Sequence, residues 1–230
     1  GSLDTSLGGA GKVTTPVLAN GIAQAVAVQT DGKIVVGGYA SNGSSDDLAV
    51  VRYLANGTLD DTFGGDGIVT TSVGPLDDQG RSLLIQPDGK MVLAGQTLVG
   101  SLNEVVVVRY DQSGNLDSSF ATGGIVVTSA LGGSIALAVA LQSDAKLIVA
   151  GHTWNGSNDK FAVLRYHPNG SLDSSFDGDG IVTTSISASS DFIHGAAVQC
   201  DGKIVVVGRS GSNIDFTLAR YRSDGSLDGP

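Results

Sequence analysis

The sequence predicts an all-β protein, a four-bladed β-propeller with four antiparallel strands in each blade. Three observations predict it. Arg-Tyr recurs at 52/53, 109/110, 165/166 and 220/221, so the chain is four units of about 56 residues without linkers. Each unit holds short apolar runs rich in β-branched residues, too short for ordinary helices and separated by turn dipeptides. The opening phrase, Leu3 to Thr15, is half a unit; it returns after each of the first three Arg-Tyr pairs, but after the fourth the chain stops before completing it.

In the first unit the runs are 25–29, 34–38, 48–53 and 68–71, labelled strands A to D from the axis outward. Asp31-Gly32-Lys33 joins A to B, a tight hairpin signal. The same turn stands at 88–90 and 201–203, and Asp144-Ala145-Lys146 fills the remaining slot. Asn56-Gly57, Ser113-Gly114, Asn169-Gly170 and Asp224-Gly225 mark the C–D connections. Strand A alternates small residues (Ala25 and Ala27, Ala138 and Ala140) with larger ones (Val26 and Val28, Val139 and Leu141). A period of two puts these sets on opposite faces, and the small face suits a narrow axis. The whole chain, 1–230, is expected to be one domain, with blades at 21–73, 78–129, 134–186 and 191–228. The segment 3–15 is expected to complete the last blade, with 12–15 as its strand D beside 216–221, closing the ring and removing an edge.

Composition bounds the function classes. There are 13 Lys and Arg against 23 Asp and Glu, a formal charge of −10, which disfavours nucleic acid as a partner. No run of about 18 apolar residues exists, so no membrane insertion is expected. The 34 glycines recur at fixed places, which indicates turns rather than low complexity. Gly1-Ser2 read as a cloning remnant. The single cysteine, Cys200, has no disulfide partner within the chain and fits no metal pattern.

The phrase Asp-Gly-Lys-Ile-Val-Val-Gly-Gly, then Leu-Ala-Val-Val-Arg-Tyr, then Asn-Gly-x-Leu-Asp-x-x-Phe-Gly-x-x-Gly resembles the delta-60 repeat family of bacterial β-propeller-like repeats, over nearly all of Leu3 to Asp228. Ala145 in place of the turn glycine, Leu7 in place of Phe63, Phe120 and Phe176, and a truncated last copy are the departures. The resemblance implies a bacterial, extracytoplasmic setting, secreted or at the cell surface. It supplies no catalytic residues, and it leaves open that four units are a fragment of a longer array.

Four aligned copies in one chain provide an internal comparison. Arg52, Arg109, Arg165 and Arg220 each precede an aspartate by eight residues: Asp60, Asp117, Asp173 and Asp228. A repeated Arg–carboxylate bond bracing the C–D connection is the expected reading. Gln29, Gln86, Gln142 and Gln199 close strand A, where a side-chain amide can satisfy the turn backbone. Gly-Asp-Gly at 65–67 and 178–180 invites a calcium reading, but the equivalent segments 121–124 and 8–11 carry no carboxylate, so a glycine turn is preferred and no metal ligand is assigned. Asn-Gly-Ser/Thr at 42–44, 56–58, 155–157 and 169–171 reads as turns before it reads as glycosylation.

The A–B and C–D turns are nearly invariant, whereas the B–C and D–A loops vary, and function concentrates on variable loops held by a rigid scaffold. A ligand is therefore expected on the B–C/D–A face. Gln24, Arg81, Leu137 and His194 stand at the start of strand A, and Tyr39, Gln96, His152 and Arg209 just past strand B. Asp77, Asp78, Asp191, Asn158 and Trp154 surround them. Trp154 is a candidate sugar-stacking platform or partner anchor, and His194 with Asp191 a candidate oriented base. No zinc-protease, nucleophile-elbow or phosphate-loop motif is present. The expected function is a non-enzymatic binding or scaffold module, with a protein or glycan ligand. The alternatives are a lectin-like propeller using Trp154, and a hydrolase or lyase at the axial mouth using His194, Asp191 and Arg81. No cofactor is named beyond an ion in the central channel. A monomer is expected, with half of an eight-bladed dimer as the alternative.

Overall fold

The structure is a computed structural model and describes residues 1–129, 132–212 and 214–229. Its fifteen strands form four separate antiparallel meanders, one per unit, with no helix among the described residues. The first sheet is β1 (Asn20–Val28), β2 (Ile34–Ser41), β3 (Asp46–Tyr53) and β4 (Ile68–Thr71). The second is β5 (Asp78–Ile85), β6 (Met91–Val99), β7 (Leu102–Tyr110) and β8 (Ile125–Thr128). The third is β9 (Ser134–Leu141), β10 (Leu147–Trp154), β11 (Asp159–Tyr166) and β12 (Ile181–Thr184). The fourth has three strands, β13 (Asp191–Val198), β14 (Ile204–Ser210) and β15 (Asp215–Tyr221).

Local chemistry explains the repeat. In the A–B turn Gln29 N–H donates to Lys33 O and Gly32 N–H to Gln29 O, which places Gly32 at a φ of +85°. Glycine meets that demand without a Cβ clash; Ala145 takes the same left-handed place at +64°. The glutamine contributes its backbone here. The side-chain oxygens of Gln29, Gln86 and Gln142 are buried without a hydrogen-bond partner, so the expected amide bond to the turn is not what closes it.

The sheets pack face to face, and the core lies between them. Val35, Leu48, Val50 and Phe63 of the first blade meet Met91, Leu93, Val106, Val108 and Tyr110 of the second, and equivalent clusters join the second to the third and the third to the fourth. Phe63, Phe120 and Phe176 are fully buried at these junctions, and truncating one to alanine typically costs about 3–5 kcal/mol. A hydroxyl bond spans each junction: Tyr110, Tyr166 and Tyr221 meet Thr71, Thr128 and Thr184 of the preceding blade at 2.7, 2.7 and 2.8 Å.

The arginine–aspartate pairs sit in the same places. The Nε–Oδ2 distances are 2.8 Å for Arg52–Asp60 and 2.7 Å for Arg109–Asp117, Arg165–Asp173 and Arg220–Asp228. In the first two the contact is also an aligned hydrogen bond. The first three guanidinium groups reach onward to the next blade, donating to the carbonyls of Gln112, Pro168 and Ser223, and each lies over its own blade's phenylalanine at 4.5–4.6 Å. Burial alone would push the Asp60 carboxyl up. Hydrogen bonds from Thr62 and Lys33, with Arg52 beside it, outweigh burial and bring it down to about 2. Asp117 and Asp173 move in the same direction for the same reasons. A depressed carboxylate stabilises the fold above its unfolded value of 3.8 and loses that contribution as it protonates. Stability is thus expected to fall steeply from pH 4 to 2. Chemical denaturation across that window checks this, and a flat profile contradicts it.

Ring closure through 12–15 is not formed. That segment carries no strand, and β15 pairs only with β14 among the described residues. The opening half-unit instead docks on the first blade. Gly8 N–H donates to Asn56 O at 2.8 Å, and Tyr53 Oη–H donates to Thr15 Oγ1 at 2.8 Å. Those are the contacts every later D segment makes with the blade after it, as in Gly64 N–H to Ser113 O and Tyr110 to Thr71. The half-unit occupies its expected place relative to the next blade. β15 has no D strand beside it among the described residues, and both end faces of the blade stack stay uncovered. Val26 and Val28 are 66% exposed at one end, and Leu218 is 67% and Phe216 fully exposed at the other.

Candidate functional site

Every innermost strand carries a β-bulge at the same position. The pairing register shifts between Ala23 and Ala25, between Gly80 and Ser82, opposite Ala150/Gly151, and between Ile193 and Gly195. The extra residues are Gln24, Arg81, Leu137 and His194, the set nearest the axis. A bulge bends the strand and re-aims one side chain. The partner strand explains why it recurs. Ala23, Gly80, Ala136 and Ile193 pair with Gly38, Gly95, Gly151 and Gly208. A Cβ on those glycines would lie 2.0, 2.0, 1.9 and 1.9 Å from the carbonyl oxygens of Ile22, Gln79, Ile135 and Phe192. The glycine admits the bulge, and the bulged residue is free to differ from blade to blade.

The second set lies one residue beyond these glycines. Tyr39, Gln96, His152 and Arg209 pair across to Ile22, Gln79, Ile135 and Phe192. Two polar–aromatic clusters result. At the first junction Arg81 lies over the Tyr39 ring at 5.4 Å and its Nη2 donates to Gln79 Oε1 at 2.6 Å. Gln79 Nε2 in turn donates to Asp46 Oδ2 at 2.7 Å, and Gln96 Nε2 approaches Gln79 Oε1 at 3.4 Å. Asp77 accepts from the Asp46 N–H. At the other cluster Phe192 meets both Arg209, 4.3 Å from its centroid, and His152, in a T-shaped contact at 4.8 Å. Burial lowers the His152 pKa below its usual value; nearby Asp159 opposes this, while His194 and Arg209 add to it. His152 is therefore neutral at pH 7, able to accept one hydrogen bond and donate another.

Other expected residues fall elsewhere. Asp191 is wholly buried and accepts from Ile186 N–H, Ser187 N–H and Ser187 Oγ–H, so it ties the D–A loop. Asp78 does the same for Val73 and Gly74. The expected orienting bond from Asp191 to the exposed His194 is not formed, because the carboxylate is committed to its loop. Gln24 is exposed on β1 with no side-chain hydrogen bond among the described residues. Asn158 Nδ2 donates to Ala188 O. Trp154, 44% exposed, ends β10 and shares a groove of about 200 Å³ with His152, Asp159, Leu102 and Asn103. The Gly-Asp-Gly aspartates are also occupied, since Asp66 and Asp179 accept from Ile68 and Ile181 N–H. No cluster of three or more metal-type ligands occurs among the described residues. Sequence reasoning missed Gln79, Asp46, Asp159 and Phe192. The signal for Gln79 and Phe192 was present as positions two before the bulged residue, which differ between blades as the bulged residues do.

A family model described as a domain of unknown function (DUF5122) beta-propeller matches residues 29–63, 86–120, 142–176 and 199–229. No curated protein matches the chain. Among solved structures, a protein of unknown function from Bacteroides caccae is 13% identical with a TM-score of 0.52, covering 94% of this chain and 62% of its own. The chain thus spans less than two thirds of that protein, and the likeness is one of fold. An α-L-arabinofuranosidase from Clostridium thermocellum is also 13% identical, with a TM-score of 0.48 over 92% of this chain and 72% of its own.

Proposed function

Since the chain belongs to the DUF5122 β-propeller family, we propose that it is a non-enzymatic binding or scaffold module of a secreted or surface bacterial protein. Its ligand sits on the B–C/D–A face. One observation carries this reading: the fold imposes the same bulge in every blade, yet Gln24, Arg81, Leu137 and His194 differ in charge and size. Residues kept for stability would repeat, as Arg52 and its equivalents do; residues that contact a ligand need not.

The site pairs cations with aromatic rings, Arg81 with Tyr39 and Arg209 with Phe192, beside a neutral His152 and an exposed Trp154. Such a surface suits a glycan or a peptide that presents both flat apolar and acidic groups. A hydrolase has less support, since its named acid–base pair loses Asp191 to the loop.

Screening the chain on glycan and peptide arrays tests the proposal. Binding is expected, with at least a tenfold loss, or about 1.4 kcal/mol, in Arg81→Ala. A comparable loss in Trp154→Ala identifies the glycan form. Binding that survives both substitutions but fails in Lys203→Ala would place the ligand on the opposite face, and turnover in an activity screen would overturn the non-enzymatic reading.

A further inference from the structure

We propose that the two end faces of this chain close on a second copy, head to tail, so that two chains complete one eight-bladed ring. The occupant is argued from the three junctions inside the chain. At each of them one face of a blade meets one face of the next, and the same residue positions recur.

The outward face of the last blade presents Phe216, Leu218, Val207 and Arg220. Their equivalents in earlier blades are buried at junctions: Leu48, Val105 and Phe161 stand where Phe216 does, and Val50, Val107 and Val163 where Leu218 does. In the last blade these positions are 106% and 67% exposed. The outward face of the first blade presents Val26 and Val28, whose counterparts Leu83 and Ile85 pack into the first junction. Each end is thus one half of an interface that the chain already builds three times.

The half-unit 3–15 completes the match. It is seated on the first blade as a D segment, with no C strand beside it. β15 is a C strand with no D segment beside it. β12 pairs with β11 through Phe161↔Thr184 and Val163↔Val182. The same register sets Thr15 of one copy against Phe216 of the other, and Val13 against Leu218. Arg220 then donates to the Ala55 carbonyl of the second copy, as Arg52, Arg109 and Arg165 donate to Gln112, Pro168 and Ser223. Leu7 takes the place of the buried phenylalanine. Unlike ends that fit generate a ring when the rotation closes. Propellers typically hold about four to eight blades. Four are left open here, so eight, from two copies, is the closed number within that range.

Light scattering across a dilution series, with reductant to silence the exposed Cys200, is the test. The native chain is expected at twice its 23.1 kDa mass. Leu218→Asp and Val26→Asp each charge one exposed end face, and each alone is expected at one chain mass with an unchanged circular dichroism spectrum. Mixed in equal amounts, they retain one intact junction and are expected to return to the two-chain mass, dissociating at higher concentration than the native pair. A native chain that stays at one chain mass, whether open or closed on itself, overturns the proposal. So do variants that remain paired, a mixture that does not pair, or species that keep growing with concentration.

Discussion

Arg109→Leu is expected to lower stability by about 3–5 kcal/mol, the cost of breaking a buried ion pair by removing one partner. At this chain length, a loss of that size moves the melting temperature down by roughly 6–20 °C. The guanidinium acts in four directions at once. It holds Asp117 at 2.7 Å, donates to Pro168 O of the next blade and to Ser119 Oγ, and lies over Phe120. Leucine satisfies none of the polar partners and leaves Asp117, 10% exposed, with Lys90 as its one remaining cation among the described residues. Adding Asp117→Asn removes the uncompensated charge while keeping the Ser119 bonds, so the double variant is expected to recover part of the loss. Arg220→Leu is the matched control. Its Nε–Oδ2 distance is the same 2.7 Å, but the side chain is 43% exposed. In dilute, single-chain samples it is expected to cost under about 1 kcal/mol, as surface pairs do. Equal costs at the two positions would mean that the brace works within its own C–D turn rather than by holding neighbouring blades together.

That contrast also shows what the sequence could and could not reveal. The A, B and C strands of each blade, the hairpin turns and the arginine–aspartate spacing are local and repeated, and four copies reinforce each other. Closure is neither local nor repeated. It depends on how each blade is seated on the next, which many side chains set together and no residue encodes alone. The half-unit 3–15 matched the missing strand of the last blade by sequence. The contacts that hold it, Tyr53 to Thr15 and Gly8 to Asn56, belong to the blade after it. A pattern match identifies the role of a segment without saying which end of the arc receives it. The same limit applied to the site. Variable positions are visible in the sequence, and Gln24, Arg81, Leu137 and His194 stand out there as the residues at the start of strand A; the bulge that each of them forms is not legible in it. Asp191 misled because a carboxylate three residues from a histidine looks like an orienter, while the D–A loop supplies three donors that claim it first.

Gly151→Ala is expected to be the most damaging single-carbon change in the third blade. The added Cβ would lie 1.9 Å from Ile135 O and 2.9 Å from the Ile135 carbonyl carbon, both backbone atoms of the strand it pairs with. A flexible side chain could swing aside; a backbone carbonyl held by its own ladder cannot. Either β9 separates from β10 or the bulge at Leu137 collapses, at a cost of about 1–3 kcal/mol or more for overpacking a fixed site. Gly74→Ala provides the comparison, since its nearest neighbour is Thr97 Oγ1 at 3.9 Å and its φ is not positive. It is expected to change stability by less than about 0.5 kcal/mol. Thermal melts of the two variants separate packing from a general intolerance of glycine loss. The substitution has a second consequence, because the bulge sets the direction of the side chains beside it. His152 follows Gly151 directly, and its edge contact with Phe192 at 4.8 Å depends on that register. If the bulge positions the mouth, Gly151→Ala should weaken ligand binding at temperatures where the variant is still fully folded. A variant that melts early yet binds normally would assign the bulge to packing alone and move the ligand away from this face.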